Sequence, residues 1–225
     1  MSYNDDMLER MKYYTEHILE PNDKFSFTCK QCGKCCTRRN EPIMITGVDL
    51  FYMARALKVN QMDFIKANCL VYIGDGSKLP VMVLKETKTG RCPLLKNNRC
   101  SVHDDKPTVC KLYPLGRFTT SDENDSYKYF IQPVECAGCH NAKEQTLKKW
   151  LDSFGINDRD EASKRWTGLM YKLVNYFRKH YEDEDIGSKY DVAFLLMYLN
   201  YDINKDFLQS LEENISMCDI YFKEE

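Results

Sequence analysis

The sequence predicts an α+β fold, mostly helical, in which a cysteine-rich region with a few short strands precedes a helical C-terminal bundle. Three observations predict it. Ten of the eleven cysteines fall between Cys29 and Cys139, and only Cys218 comes later. Turn signals and short alternating runs are confined to the first part of the chain. From about residue 141 onward, apolar residues recur at helical spacing. The chain therefore divides into a Cys-rich region, 1–140, and a helical region, 141–225, expected to pack together as one compact unit. With 225 residues, 43% of them apolar, it can bury a core of that kind.

Residues 4–20 read as a short helix that stops before Pro21. After the first cysteines, the EPIMI run (41–45) is extended. Thr46-Gly-Val-Asp49 has the form of a capping box opening a helix through LFYMARAL, and Asn60-Gln-Met-Asp63 opens the next, FIKANCL. Val81–Glu86 alternates as a strand, Lys88-Thr-Gly90 turns, and Cys92–Leu95 returns. Lys96-Asn-Asn-Arg99 is a second turn, and Tyr127–Gln132 a further strand. Trp166, Leu169, Met170, Leu173, Val174 and Phe177 mark one helix face. Phe207, Leu208, Leu211, Ile215 and Cys218 mark another, and Val192–Leu199 is apolar all round, as a central buried helix would be. These stripes are core rather than a cofactor box, and Glu182–Asp185 is a loop between helices.

Charge excludes some functions. Lys plus Arg total 32 against 34 acids, a net charge of −2, so the chain has no nucleic-acid footprint and no polybasic membrane anchor. The one dense basic spot, Arg38-Arg39, is too short to alter this. The N-terminus is acidic and amphipathic, unlike a secretory signal. The longest apolar run, VAFLLMYL, is about half of what a membrane span needs. A cytoplasmic protein is expected. There, eleven cysteines, an odd number, are not a disulfide framework, and the sequons at Asn124 and Asn214 carry no weight.

The cysteines form three groups: Cys29-x2-Cys32-x2-Cys35-Cys36, then Cys92, Cys100 and Cys110, then Cys136-x2-Cys139. A C-x2-C spacing lets two thiolates converge on one centre while the intervening backbone N–H groups point at the sulfurs. Gly33 would allow the tight turn that such a knuckle needs. Free cysteine is also a common core residue, but four in eight residues, among Lys30, Gln31, Lys34 and Arg38, do not read as packing. Cys29, Cys32, Cys35, Cys36, Cys92, Cys100, Cys110, Cys136 and Cys139 are therefore candidate metal ligands. His103 and His140 stand in reserve, and Cys69 and Cys218 are packing residues. Cys136-Ala-Gly-Cys139-His140 also has the form of a c-type haem attachment site, but no export signal and no distal ligand accompany it. No βαβ context supports a thioredoxin-like role.

Zinc takes four ligands, so eight or nine cysteines could build two sites. Iron–sulfur proteins open with C-x2-C-x2-C, as here, although the fourth ferredoxin cysteine is missing and Cys36 stands adjacent instead. Neighbouring side chains diverge, so two adjacent thiolates fit one small tetrahedron poorly. That points to a polynuclear centre or to two centres. The expected cofactor is an iron–sulfur cluster, 4Fe–4S, with zinc as the alternative.

The run C-x2-C-G-x-C-C, followed by GRCPLLKNNRCSVHDDKPTVCKLYPL, resembles the bacterial and archaeal CxxCxxCC, or YkgJ-like, cysteine-cluster family, whose domain is described as zinc- or iron-chelating. The resemblance covers about residues 25–140. It implies Cys29, Cys32, Cys35, Cys36, Cys92, Cys100 and Cys110 as ligands, with a last one matching Cys136 or Cys139. His103 stands where the family commonly has Tyr, and Lys106 where it usually has Arg. Flagellin lysine N-methylases carry a similar cluster, which implies a methyl-transfer-like enzyme as one alternative. No HExxH, P-loop, GxGxxG or GxSxG motif supports catalysis directly. The leading expectation is a metal-cluster protein with a redox or small-molecule role and an unidentified small-molecule or protein partner. The alternative is a zinc-stabilised structural domain whose helical tail serves that partner.

Overall fold

The computed structural model describes residues 3–37, 42–119 and 127–223. The Arg38-Arg39 pair, Glu41 of the extended run and the sequon at Asn124 lie outside the described residues. Helix α1 (Tyr3–Glu16) leads to strands β1 (Ile18–Leu19) and β2 (Lys24–Ser26), and a 3₁₀ turn (Lys34–Cys36) follows. Next come α2 (Gly47–Leu57), α3 (Gln61–Asn68), β3 (Cys69–Ile73), β4 (Pro80–Leu84), β5 (Leu95–Lys96) and β6 (Arg99–Cys100). Then follow α4 (Thr108–Leu112), β7 (Leu115–Thr119), β8 (Tyr127–Ile131), β9 (Glu144–Thr146) and α5 (Leu147–Ser153). The chain ends with α6 (Asp160–His180), α7 (Ile186–Phe194), a π-helical turn (Leu195–Leu199) and α8 (Phe207–Tyr221). It is thus a mixed fold, with eight α-helices among the described residues and short strands in small sheets.

The chain forms two compact units, each made of two separate stretches. The first unit is Met1–Cys32 with Thr108–Asp158, and the second is Gly33–Pro107 with Arg159–Glu225. One crossing falls inside the first cysteine run, between Cys32 and Gly33. Both sequence regions, 1–140 and 141–225, thus contribute to both units.

In the first unit, β1, β8 and β7 form an antiparallel sheet in that order, and β2 pairs with β9. The core is small: Phe25, Phe27, Leu112, Leu115, Leu147, Trp150, Leu151 and Ile156. Trp150 meets both Phe25 and Phe27 edge-on, the favoured aromatic geometry, and its Nε1 donates to the Leu112 carbonyl at 3.1 Å. Helix α1 ends earlier than its sequence suggests. Ile18 and Leu19 leave it to pair with Phe130 and Tyr129 of β8.

The second unit holds the larger core. Helix α2 has the expected capping box: the Asp49 amide donates to Thr46 Oγ1 at 3.1 Å and the Thr46 amide to Asp49 Oδ2 at 3.3 Å. Asn60 caps α3 through the Asp63 amide. That helix stops at Asn68 rather than running through FIKANCL. Its apolar tail becomes β3, which pairs with β4 in register from Cys69–Leu84 to Ile73–Pro80, because a Leu-Val-Tyr-Ile run suits a strand better than a helix. On α6 and α8, Trp166, Leu169, Leu173, Val174, Phe177, Phe207, Leu211 and Cys218 are buried as their spacing requires.

Val192–Leu199 is not one regular helix. It passes from α7 into the π turn, whose carbonyls are taken up by side chains: Trp166 Nε1 donates to Met197 O at 2.9 Å, and Tyr201 OH and Asn214 Nδ2 donate to Leu196 O. A Cβ on Gly47 would stand 2.2 Å from the Met197 carbonyl, so only glycine lets α2 start there. Asn214, the second sequon, is completely buried in this network.

Candidate metal centre

The second unit gathers four of the nine candidate cysteines. Gly33, at φ 70°, starts the 3₁₀ turn, and its missing Cβ lets the loop lie against the Asn98 carbonyl, 3.1 Å from where that atom would be. Asn97 and Asn98 both take positive φ and join β5 to β6 as a two-residue hairpin, as Lys96-Asn-Asn-Arg99 predicts. Cys100 pairs with Leu95 across that hairpin. Thr37 bridges to Arg91, and the Cys92 amide donates to the Cys36 carbonyl at 2.8 Å. These contacts bring Cys35, Cys36, Cys92 and Cys100 into one neighbourhood.

The thiols there act on one another. Cys35 Sγ and Cys36 Sγ lie 4.0 Å apart, and the Cys36 thiol hydrogen-bonds with both Cys35 and Cys92. The bond from Cys36 holds Cys35 well below the usual thiol range, against the cost of burial and helped by the Lys106 charge. The same bond raises Cys36, and Cys92 and burial push it further. Burial also raises Cys100, which the Val102 backbone and Lys106 partly oppose. Cys35 is thus the thiolate that forms first, with Cys36 as its proton donor.

The expectation that adjacent thiols diverge is corrected here. The 3₁₀ turn brings the two sulfurs to 4.0 Å, close to the about 3.8 Å edge of a tetrahedron with metal–sulfur bonds of about 2.3 Å.

The first unit holds Cys29, Cys32, Cys110, Cys136 and Cys139. Its two C-x2-C segments are built alike. The Gln31 amide donates to Cys29 Sγ at 3.4 Å, and the Gly138 amide donates to Cys136 Sγ at 3.4 Å. In each, the second residue after the leading cysteine faces its sulfur, the bond that stabilises a thiolate in a metal knuckle. The two segments abut. The Thr28 amide donates to the Gly138 carbonyl at 2.8 Å, and a Cβ on Gly138 would press on Phe27 and the Thr28 carbonyl. Cys136 and Cys139 also pack against the unit's core. Within the first knuckle the positive φ falls on Gln31, and Gly33, also at positive φ, lies just beyond Cys32. Cys110 sits on α4, half-buried.

Among the described residues, no three His, Cys, Asp or Glu side chains stand close enough together to hold a metal ion. Thiol-to-thiol contacts join Cys36 to Cys35 and to Cys92, and a bound ion would have to draw the donors closer together. The donors fit such an ion: thiols not tied up in disulfides, amides aimed at sulfur and a cation beside the most acidic thiol. Cys69 and Cys218 lie apart in the core, where burial pushes their thiols up to about 12 and about 11. His103 instead bonds Asp104 at 3.1 Å.

Residues 28–137 match the family model described as "CxxCxxCC: Putative zinc- or iron-chelating domain". Over that segment, just under half of the chain, the protein is similar to the CxxCxxCC family. No curated protein and no solved structure matches the chain. The CxxCxxCC segment takes in eight of the nine candidate ligands and ends before Cys139. Two features of the candidate site are not visible in spacing: the charge of Lys106 beside Cys35, and the Thr28–Gly138 bond that joins the knuckles. Lys106 attracts notice in the sequence only as a departure from the family's usual Arg. Gly138, inside a C-x2-C segment, is the one signal for the second.

Proposed function

We propose that this protein binds metal through cysteine thiolates and that at Cys35, Cys36, Cys92 and Cys100 it holds a single tetrahedral ion, zinc before iron. The 4.0 Å separation of the Cys35 and Cys36 sulfurs carries the reading. Ligands of one ion stand about that far apart, whereas thiolates on separate corners of a cubane point outward and lie farther apart. A structural role follows for such a closed site. A second reading, a 4Fe–4S cluster with a redox or small-molecule role, is favoured at Cys29, Cys32, Cys136 and Cys139. There, amides donate to sulfur and Cys29 and Cys32 are exposed, features that tune a cluster and open it to electron exchange.

None of the eleven cysteines, all among the described residues, forms a disulfide, which suits a reducing compartment and supports a cytoplasmic location. No helix among the described residues is long and apolar enough to cross a membrane. The test is purification without oxygen, followed by metal and acid-labile sulfide analysis. Colourless protein with zinc and no sulfide supports the first reading, and brown protein with iron and sulfide the second. Protein that takes up neither metal overturns both.

A further inference from the structure

We infer that the cysteine run 29–36 does not serve one site: Cys29 and Cys32 join Cys136 and Cys139 in one centre, and Cys35 and Cys36 join Cys92 and Cys100 in another. The inference rests on the thiolate–metal reading above and adds number and partition to it. Three observations carry it. The compact units divide between Cys32 and Gly33, so each half of the run belongs to a different body. Within the first unit, two C-x2-C knuckles with the same amide-to-sulfur bond meet through the Thr28–Gly138 hydrogen bond at 2.8 Å. Within the second, Cys36 bonds to both Cys35 and Cys92, and Cys100 lies in the electrostatic reach of Cys92 and Cys35.

Each set supplies four thiolates, the number that completes a tetrahedral site. Two such sites use eight of the nine candidate thiols. The ninth, Cys110, stands on α4 instead of on a knuckle. The adjacency of Cys35 and Cys36 then follows from the fold: Cys35 closes the spacing begun by Cys29 and Cys32 in sequence only, while in structure it begins a new site.

Native mass spectrometry of the full chain, stripped and reloaded with zinc without oxygen, tests the partition. The wild type is expected to hold two zinc ions. Cys36→Ser and Cys139→Ser are each expected to hold one, and Cys110→Ser two. Alkylation of zinc-loaded Cys36→Ser is expected to label Cys35, Cys92 and Cys100 while Cys29, Cys32, Cys136 and Cys139 stay protected, with the reverse pattern in Cys139→Ser. Two ions with this protection pattern in the wild type support the partition even if a variant fails to fold. One zinc per wild-type chain, protection that mixes the two sets, or loss of all zinc from both folded variants overturns it. A wild type that binds no zinc and no iron overturns the thiolate–metal reading itself.

Discussion

The two units differ in how much core stands behind their thiols. The unit of Met1–Cys32 and Thr108–Asp158 has five cysteines, all exposed or half-buried, and a core of eight buried residues around Trp150. The other has six cysteines, three of them (Cys69, Cys92 and Cys218) buried in a much larger core built on α2, α6, α8 and the π turn. At roughly 80 residues, the first unit is of a size at which natural domains often need a metal or disulfides to stay folded. On the proposed partition, a bound ion should matter more to the fold of the small unit than to that of the large one.

Metal removal should expose this difference most. Chelation under reducing conditions is expected to release the backbone protection of Lys24–Ser26, Ala137–Cys139 and Glu144–Thr146, while α6 and α8 stay protected, read by hydrogen exchange. Equal loss in both units would break the comparison. Next come two glycine substitutions that differ in kind. Gly47→Ala places a methyl against the Met197 carbonyl and Trp166 Nε1 and should cost about 1–3 kcal/mol or more of unfolding free energy, measured by denaturant titration, with or without metal. Gly138→Ala places one against Phe27 and Thr28 and should act mainly by lowering zinc retention in the first unit.

A smaller loss is expected for Asn214→Ala, which strips two bonds from the π-turn region, to Leu196 O and Asn200 O. About 1–3 kcal/mol of the second unit's stability should go, as when buried polar groups lose hydrogen-bond partners, and zinc content should not change.

The pH dependence should sharpen the contrast with the mildest effects. Cys69 and Cys218 have folded values raised to about 12 and about 11 by burial, above the about 8.5 of a free thiol. Their contribution is therefore fully present below about 8.5 and is lost as pH rises through those folded values. Thermal melts of the helical body should weaken only in alkali. Protons compete with metal for thiolates, so the first unit should loosen in acid instead.

Much of this was legible in the sequence. Capping residues Thr46, Asp49 and Asn60 and the stripes on α6 and α8 act locally and report their helices directly. The nine thiols announced metal chemistry. The proposed partition was not legible, because it depends on which distant strands meet: β2 with β9 sets the knuckles side by side, and the Asn97-Asn98 hairpin brings Cys100 back to Cys92. The early end of α1 and the π turn escaped for the same reason, since pairing with β8 and side-chain donors from α6 and α8 outweigh local helix preference.

X-ray absorption at the edge of the bound metal tests the central claim most directly. The account predicts a first shell of four sulfurs at about 2.3 Å, without light atoms. A shell of nitrogen or oxygen at about 2.0–2.2 Å would contradict it.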